Sequence, residues 1–175
     1  MIGVNHFLSA TTISAHAVDQ TSDKQREINL YKYLLEIIHS LHPKIKKTQH
    51  VINVECSRDI NIICHAGALA QVITNLIVNS LNHAFHDKPN GQIDIIASVH
   101  DGSQIELTYK DNGCGLDDAN MKRLFDPFFT SKENQGGSGL GTHIVYNLVT
   151  QTLKGHIEAH SAIDQGLTYS INFPV

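Results

Sequence analysis

The sequence is poor in cysteine, in long apolar runs and in excess positive charge, and each shortage excludes a class of protein. Its three cysteines, Cys56, Cys64 and Cys114, form no CxxC pair, and their odd number does not suggest a disulfide framework. We therefore expect a reducing, cytoplasmic setting. No apolar run approaches the roughly 18 residues of a membrane span, so we expect no membrane contact by this domain. A net charge of −4 argues against a nucleic-acid surface, which is normally basic.

The chain is long enough for one domain with a sizeable core. It has 175 residues, of which 41% are apolar and 17% are charged, as in ordinary soluble globular proteins. Residues 1–27 show no core periodicity and lack the basic leader of a signal peptide. We interpret residues 1–27 as a linker or the remnant of a preceding element, and residues 28–175 as the folded domain.

Apolar residues recur with helical spacing in some segments and alternate in others. Helices are predicted over residues 28–45, 71–85 and 140–153, with Pro43 loosening the end of the first and Gly155 ending the last. Strands are predicted over residues 51–54, 60–64, 93–99, 105–109, 157–161 and 167–173, with a hairpin turn at Asp101-Gly102. This order predicts an α+β fold, a two-layer α/β sandwich with helices on one face of a mixed, mostly antiparallel sheet.

The helix over residues 71–85, QVITNLIVNSLNHAF, carries a polar stripe beside its apolar face. This asparagine stripe consists of Asn75, Asn79, Asn82 and His83. Asparagine is a mediocre helix former because its amide competes for backbone hydrogen bonds, so the stripe requires an explanation. Asn75 and Asn79 face the same way, and an asparagine carbonyl can be one of the few protein ligands that Mg²⁺ takes.

Two glycine-rich segments are candidates for ligand contact. The first, DNGCGLDD at residues 111–118, follows a strand, and Gly113 and Gly115 would let the backbone approach a ligand closely. Asp111 could accept a hydrogen bond from an amino group, although an ordinary Asp-Asn-Gly turn explains the same residues. The second, GGSGLG at residues 136–141, opens a helix whose N–H groups suit phosphate oxygens. A flexible hinge is the alternative there, and the segment matches neither a P-loop nor a Rossmann fingerprint.

The segment between these glycines is long for a structureless loop, and such loops are usually functional lids or disordered. It contains FDPFFTSK at residues 125–132, the aromatic segment. We expect Phe125, Phe128 and Phe129 to be buried against the domain, and Lys132 to be a mobile cation near whatever the lid covers. A satellite hydrophobic cluster under a long loop is the alternative interpretation.

These motifs occur in the order QVITNLIVNSLNHAF, DNGCG, FDPFFTSK, GGSGLGTHIV and a closing QGLTYSINFP. The series resembles the ATP-binding catalytic domain of bacterial two-component sensor histidine kinases, over residues 28–175. The wider superfamily includes DNA gyrase B, the MutL repair ATPase and the heat-shock chaperone ATPases. The resemblance implies the Bergerat fold, ATP and Mg²⁺ as cofactors, and transfer of the γ-phosphoryl group to a histidine.

The resemblance also implies roles for individual residues. Asn79 would be the Mg²⁺ ligand and Asn75 its polar neighbour, and these two would be the catalytic residues. Asp111 would bind the adenine amino group, and Thr168 would lie near the adenine pocket. The other ATP-binding residues would be Asn82, His83, Gly113, Gly115, Leu116, Phe125, Lys132, Gly137, Ser138, Gly139, Leu140, Gly141 and Thr142.

Three departures from the family pattern bear on activity. In gyrase-type relatives an acidic residue at the Asn75 position activates water, and since an amide cannot act as that base, transfer to a protein acceptor fits better than hydrolysis. Thr142-His143 replaces the more usual Leu-Ser type of pair. None of the twelve histidines lies in an acceptor context, and the residues after His16 resemble the tail of a dimerisation helix.

The expected partners are therefore ATP, an acceptor-histidine dimerisation domain outside this chain, and a downstream response regulator. Two alternatives remain open. One is a nucleotide-binding regulatory module that transfers no phosphoryl group. The intact glycine motifs argue modestly against this alternative. The other is an ATP-operated clamp of the gyrase or chaperone kind, against which Asn75 counts.

Overall fold

A computed structural model describes residues 24–86, 88–129 and 139–175 of the chain. The elements in chain order are β1 (Arg26–Asn29), α1 (Leu30–Ser40), α2 (His42–Ile45), β2 (Val51–Cys56), β3 (Asn61–Cys64), α3 (Ala66–Asn79), β4 (Gln92–His100), β5 (Gln104–Asp111), α4 (Asp118–Met121), α5 (Gly141–Asn147), β6 (His156–Ser161) and β7 (Leu167–Pro174). Two π-helical turns, π1 (Ser80–Ala84) and π2 (Leu148–Thr152), extend α3 and α5. Residues 1–23 lie outside the described residues, so the linker there stays a prediction.

Five strands form the main sheet in the order β2-β4-β5-β7-β6. β2 runs parallel to β4, and the other neighbours are antiparallel, which confirms the predicted mixed sheet. β1 and β3 pair as a separate two-stranded sheet. The hairpin turn between β4 and β5 falls at Asp101 and Gly102, whose positive φ angles of 49° and 70° match the turn predicted there.

Alternation along the strands explains why the helices cover only one face of the sheet. The inward-facing residues of β4, β5 and β7 are buried: Ile93, Ile95, Ala97, Ile105, Leu107, Tyr109, Tyr169, Ile171 and Phe173. The apolar side of α3 and the inner residues of α5 and π2 pack on this face, so the predicted two-layer α+β sandwich is confirmed. No helix in the described part of the chain is both long and apolar enough to cross a membrane.

The predicted helix over residues 28–45 is wrong at its start, and it is divided into two helices before its end at Ile45. Ile28 and Asn29 belong to β1 because they pair with β3. α1 begins at Leu30, and the side chain of Asn29 caps it by accepting a hydrogen bond from the Lys32 N–H at 3.1 Å. Pro43 lies at the start of the separate helix α2, where its missing N–H costs no hydrogen bond.

The last helix also ends differently from the prediction. Lys154, rather than Gly155, takes the left-handed conformation, with a φ of 58°. Gly155 is required for space instead, because a Cβ there would lie 2.1 Å from the carbonyl oxygen of Asn172 in β7. The Gly155 N–H donates to the Val149 carbonyl at 2.8 Å, which satisfies one carbonyl of π2.

Two glycines with similar backbone conformations give a matched test of the packing between β5 and β7. The φ angles of Gly102 and Gly166 are +70° and +78°, but a Cβ would meet nothing within 4 Å at Gly102 and the Asp111 carbonyl oxygen at 1.9 Å at Gly166. Gly102→Ala should lower the free energy of unfolding by about 1–2 kcal/mol through backbone strain. Gly166→Ala should lower it by about 1–3 kcal/mol more, since the turn before β7 must move. Urea unfolding measures both, and equal losses would contradict this packing.

Candidate functional site

A cavity of about 700 Å³ opens between α3 with π1 on one side and the loop after β5, α5 and the start of β7 on the other. The predicted site residues that line it are Asn75, Asn79, Asn82, His83, Asp111, Gly115, Leu116, Gly139, Gly141 and Thr142. The fold therefore brings the asparagine stripe and both glycine-rich segments to one place. Lys132, Gly137 and Ser138 lie outside the described residues, so their contacts stay predictions.

Asp111 lines this cavity although only 2% of its surface is exposed. Its Oδ1 accepts hydrogen bonds from the backbone N–H groups of Gly113 at 2.9 Å and Leu167 at 3.2 Å. Its Oδ2 accepts one from the Ser80 hydroxyl at 2.7 Å. These donors offset the cost of burying a carboxylate, and Oδ2 keeps acceptor capacity for an N–H group of a ligand.

Ser80 and Tyr109 hold this carboxylate in place, and sequence reasoning missed both. The Tyr109 hydroxyl lies 2.8 Å from the Ser80 oxygen and donates to the Leu76 carbonyl at 3.0 Å. Burial raises the pKa of Tyr109 well above its usual range, so the phenol stays neutral and remains a donor. The sequence did contain one clue to this arrangement, because Ser80 lies at the border between the asparagine stripe and the apolar face of the helix.

Gly113 and Gly115 shape the wall beside Asp111 because they lack side chains. A Cβ at Gly113 would lie 2.4 Å from the Cβ of Ala84, and one at Gly115 would lie 1.9 Å from the Ala162 carbonyl oxygen. Gly113 does not itself line the cavity. Its contribution is the N–H donated to Asp111 and the close approach of the chain to π1.

The asparagine stripe faces the cavity, as its spacing predicts. Nδ2 of Asn75 is buried and has no hydrogen-bond partner in the described part of the chain, so it can donate to a ligand oxygen. Asn79 lies beside the start of α5, where a Cβ on Gly141 would be 3.0 Å from Asn79 Oδ1. No group of three or more His, Cys, Asp or Glu residues suited to a metal occurs within residues 24–86, 88–129 and 139–175.

The described residues of the second glycine-rich segment are Gly139, Leu140 and Gly141, and the two glycines contribute backbone to the cavity. Gly139 has a φ of +63°, and a Cβ there would lie 2.5 Å from the carbonyl carbon of Phe128. Leu140 does not line the cavity, contrary to the prediction. It precedes α5 and accepts a hydrogen bond at its carbonyl from the Ile144 N–H at 2.9 Å.

The aromatic segment departs from the prediction that all three phenylalanines are buried. Phe128 is 73% exposed and has a positive φ of 62°. Phe125 does not line the cavity, because its ring packs against Tyr146 and Tyr169 at centroid distances of 5.3 and 6.3 Å. Phe129 does line the cavity. The irregular turns of this segment aim neighbouring side chains in different directions, which no sequence period reveals.

Thr168, predicted near the adenine pocket, does not line the cavity, whereas its neighbours Leu167 and Tyr169 do. Successive residues of a strand point to opposite faces, so Thr168 lies next to the cavity while the side chains of its two neighbours line it. The Leu167 N–H that reaches Asp111 confirms which residue of β7 meets the site.

Further residues that line the cavity were not among the predicted site residues. Asp117 caps α4 by accepting a hydrogen bond from the Asn120 N–H at 2.8 Å, and both side chains border the cavity. Ile163, 64% exposed, lies at its rim. The tight turn between β6 and β7 brings this residue to the site, and only the strand pairing shows it.

The fold and the site define an ATP-binding domain of known type. The family of histidine kinase-, DNA gyrase B- and HSP90-like ATPases matches residues 64–175, and the chain belongs to this family. Related proteins include a sensor kinase, and related structures include the catalytic domain of a histidine kinase. These matches confirm the resemblance to the ATP-binding domain of sensor histidine kinases.

Two relatives illustrate the extent of the match. A candidate sensor protein of Shewanella frigidimarina (strain NCIMB 400) is 30% identical over 161 residues, which cover 92% of this chain and 24% of that protein. The autoinducer 2 sensor kinase/phosphatase LuxQ of Vibrio vulnificus (strain YJ016) is 29% identical over 163 residues, covering 87% of this chain and 18% of LuxQ. The chain thus spans less than a quarter of the length of these relatives.

The same fold occurs in the histidine kinase ThkA. Its nucleotide-free catalytic domain superposes with a TM-score of 0.73 at 22% identity, covering 86% of this chain and 95% of that one. ThkA in complex with the response regulator protein TrrA gives a TM-score of 0.70 at 20% identity, with coverage of 86% and 41%. These likenesses establish the shared fold.

The position of Leu167 can be tested against that of Thr168. Leu167→Ala removes part of the cavity wall and should weaken adenine-nucleotide binding by about fivefold, the equivalent of roughly 1 kcal/mol of lost apolar contact. Thr168→Val keeps the side-chain volume on the opposite face and should leave affinity within about twofold. Titration calorimetry with ATP compares them, and the reverse ranking would contradict the assignment to Leu167.

Proposed function

We propose that this chain is the ATP-binding catalytic domain of a sensor histidine kinase, which binds Mg-ATP and transfers the γ-phosphoryl group to a histidine on a dimerisation domain. The observation that carries the proposal is the buried Asp111, fixed by three donors and lining a cavity whose other wall is an asparagine stripe. A charged acceptor in this position selects a base that offers an amino group. Adenine has such a group at the corresponding edge, and guanine has a carbonyl oxygen there.

The residues beside the proposed phosphate position fit an anionic ligand with a cation. The unsatisfied Nδ2 of Asn75 can donate to a phosphate oxygen, and Gly139 and Gly141 line the same cavity without a side chain that would hold a ligand away from the backbone. Asn79 would hold Mg²⁺ through its amide oxygen, which suits a metal that takes few protein ligands beside phosphates and water. When bound, Mg²⁺ would neutralise phosphate charge.

Asn75 also bears on the choice between transfer and hydrolysis. Its amide has no basic atom with which to activate water, which supports transfer to a protein acceptor over an ATP-operated clamp. A regulatory module that binds ATP without transfer would share the same cavity. The ordered asparagine stripe favours the kinase, because adenine binding alone does not require it.

The acceptor-histidine domain and a response regulator are the proposed partners. They are supported by the kinship with sensor kinases, by the small share of those relatives that this chain spans, and by the ThkA complex with TrrA. A cytoplasmic setting is proposed because ATP is the proposed substrate and Cys56, Cys64 and Cys114 are not joined in disulfides.

Asp111→Asn should weaken ATP binding by about 10- to 100-fold, because a hydrogen bond to a charged acceptor is worth about 1.5–3 kcal/mol. Asp94→Asn is the matched control. Its carboxylate accepts from Asn53 and Gln92 on the main sheet, outside the cavity, so nucleotide affinity should not change. Titrations with ATP and GTP measure both variants, and equal affinity of the unmutated chain for ATP and GTP would sink the adenine assignment.

Asn79→Ala should reduce Mg-ATP binding and phosphoryl transfer while the fold stays intact. Alanine is the better helix former, so stability should hold or rise by roughly 0.5 kcal/mol. If Asn79 served only as a structural hydrogen-bonding residue, the variant would lose about 1–3 kcal/mol and keep its nucleotide affinity. A melting curve, an ATP titration with and without Mg²⁺, and transfer to an acceptor-histidine domain supplied in trans distinguish these accounts.

A further inference from the structure

The half-buried ring of His143 bridges two segments of the chain. Nδ1 lies 3.0 Å from the Phe125 carbonyl oxygen, and Nε2 lies 3.0 Å from Nδ2 of Asn147, one turn further along α5. A carbonyl oxygen only accepts, so Nδ1 carries a proton and donates to Phe125. An amide nitrogen only donates, so Nε2 accepts from Asn147.

The other polar contacts of the segment that His143 reaches stay within residues 123–129 in the described part of the chain. The Asp126 N–H donates to the Arg123 carbonyl at 2.9 Å, and the Phe129 N–H makes a long hydrogen bond of 3.4 Å to the Asp126 carbonyl. Arg123 lies 3.9 Å from the Asp126 carboxylate and 5.0 Å from the centre of the Phe129 ring. Phe128 adds an unfavourable positive φ of 62°. Ring packing of Phe125 on Tyr146 places the side chain, but the hydrogen bond from His143 fixes the backbone that follows it.

Both segments that His143 joins contribute to the cavity. Phe129 comes from one, and Gly139, Gly141 and Thr142 come from the other. Gly139 also packs against the Phe128 backbone, where a Cβ would lie 2.5 Å from the carbonyl carbon. A shift of Phe125 to Phe129 away from α5 would separate these walls.

We propose that His143 is a positioning residue for the nucleotide site. It does not touch the cavity, and it acts by holding the Phe125 carbonyl, and with it Phe129, against the start of α5. The inference rests on the proposed nucleotide-binding function and adds a determinant that lies outside the glycine and asparagine motifs.

Replacing His143 with asparagine or with glutamine gives a sharp test, because each amide places a nitrogen where one of the two ring nitrogens was. The side-chain nitrogen of asparagine can occupy the place of Nδ1, so His143→Asn should bind ATP within about twofold of the unmutated chain. Glutamine places its amide near Nε2 and offers no donor at Nδ1. His143→Gln and His143→Leu should each bind ATP about 3- to 10-fold more weakly, the usual worth of one hydrogen bond.

If His143 only stabilised α5, the asparagine and glutamine variants would rank in the opposite order of ATP affinity. Glutamine is a better helix former than asparagine, so affinity limited by helix stability would be higher for His143→Gln. Melting curves of all three variants show whether affinity follows stability or donor position. If the leucine variant does not fold, the two amide variants alone decide.

Nitrogen NMR of the ring provides a readout without nucleotide, with the Nδ1–H tautomer expected. An Nε2–H tautomer, equal ATP affinity of all variants, or higher affinity of His143→Gln than of His143→Asn would each overturn the inference while leaving the proposed function standing. An unmutated chain that binds no ATP would overturn both.

Discussion

The burial of one carboxylate, that of Asp111, is the constraint on which the site depends. A buried charge is tolerated only when donors surround it, and here the donors come from three parts of the fold. Ser80 comes from the start of π1, Gly113 from the loop after β5, and Leu167 from the start of β7. The same hydrogen bonds that make the charge tolerable therefore fix the distance between the helix layer and the sheet.

The sequence predicted the parts of this structure that follow from periodicity. Alternation over residues 93–109 gave the hairpin of β4 and β5, and the helical spacing of residues 71–85 placed Asn75 and Asn79 on the cavity side. The hairpin and the placement of the asparagines needed only the local chain, because one face of each element must meet a core. The family was inferred separately, from the resemblance of the ordered motifs, and the family match confirms it.

Several departures concern which of two nearby residues takes a role. Leu167 and not Thr168 lines the cavity, Lys154 and not Gly155 adopts the left-handed conformation, and Phe129 and not Phe125 lines the cavity. Residue type suggested a helix end at Gly155, whereas the family resemblance suggested Thr168 and Phe125. The deciding factor was contact with a strand or helix distant in the sequence, which also explains why Ser80 was missed.

The hydrogen bond from Leu167 to Asp111 joins residues 56 positions apart, and this separation has a consequence for folding. Closing so long a loop has an entropic cost. This cost is offset only when β5 and β7 pair along their length. The carboxylate has no full set of donors until that pairing is complete. Competence for ligand should therefore arise late and all at once during folding, so a partly folded chain carries no partly formed site.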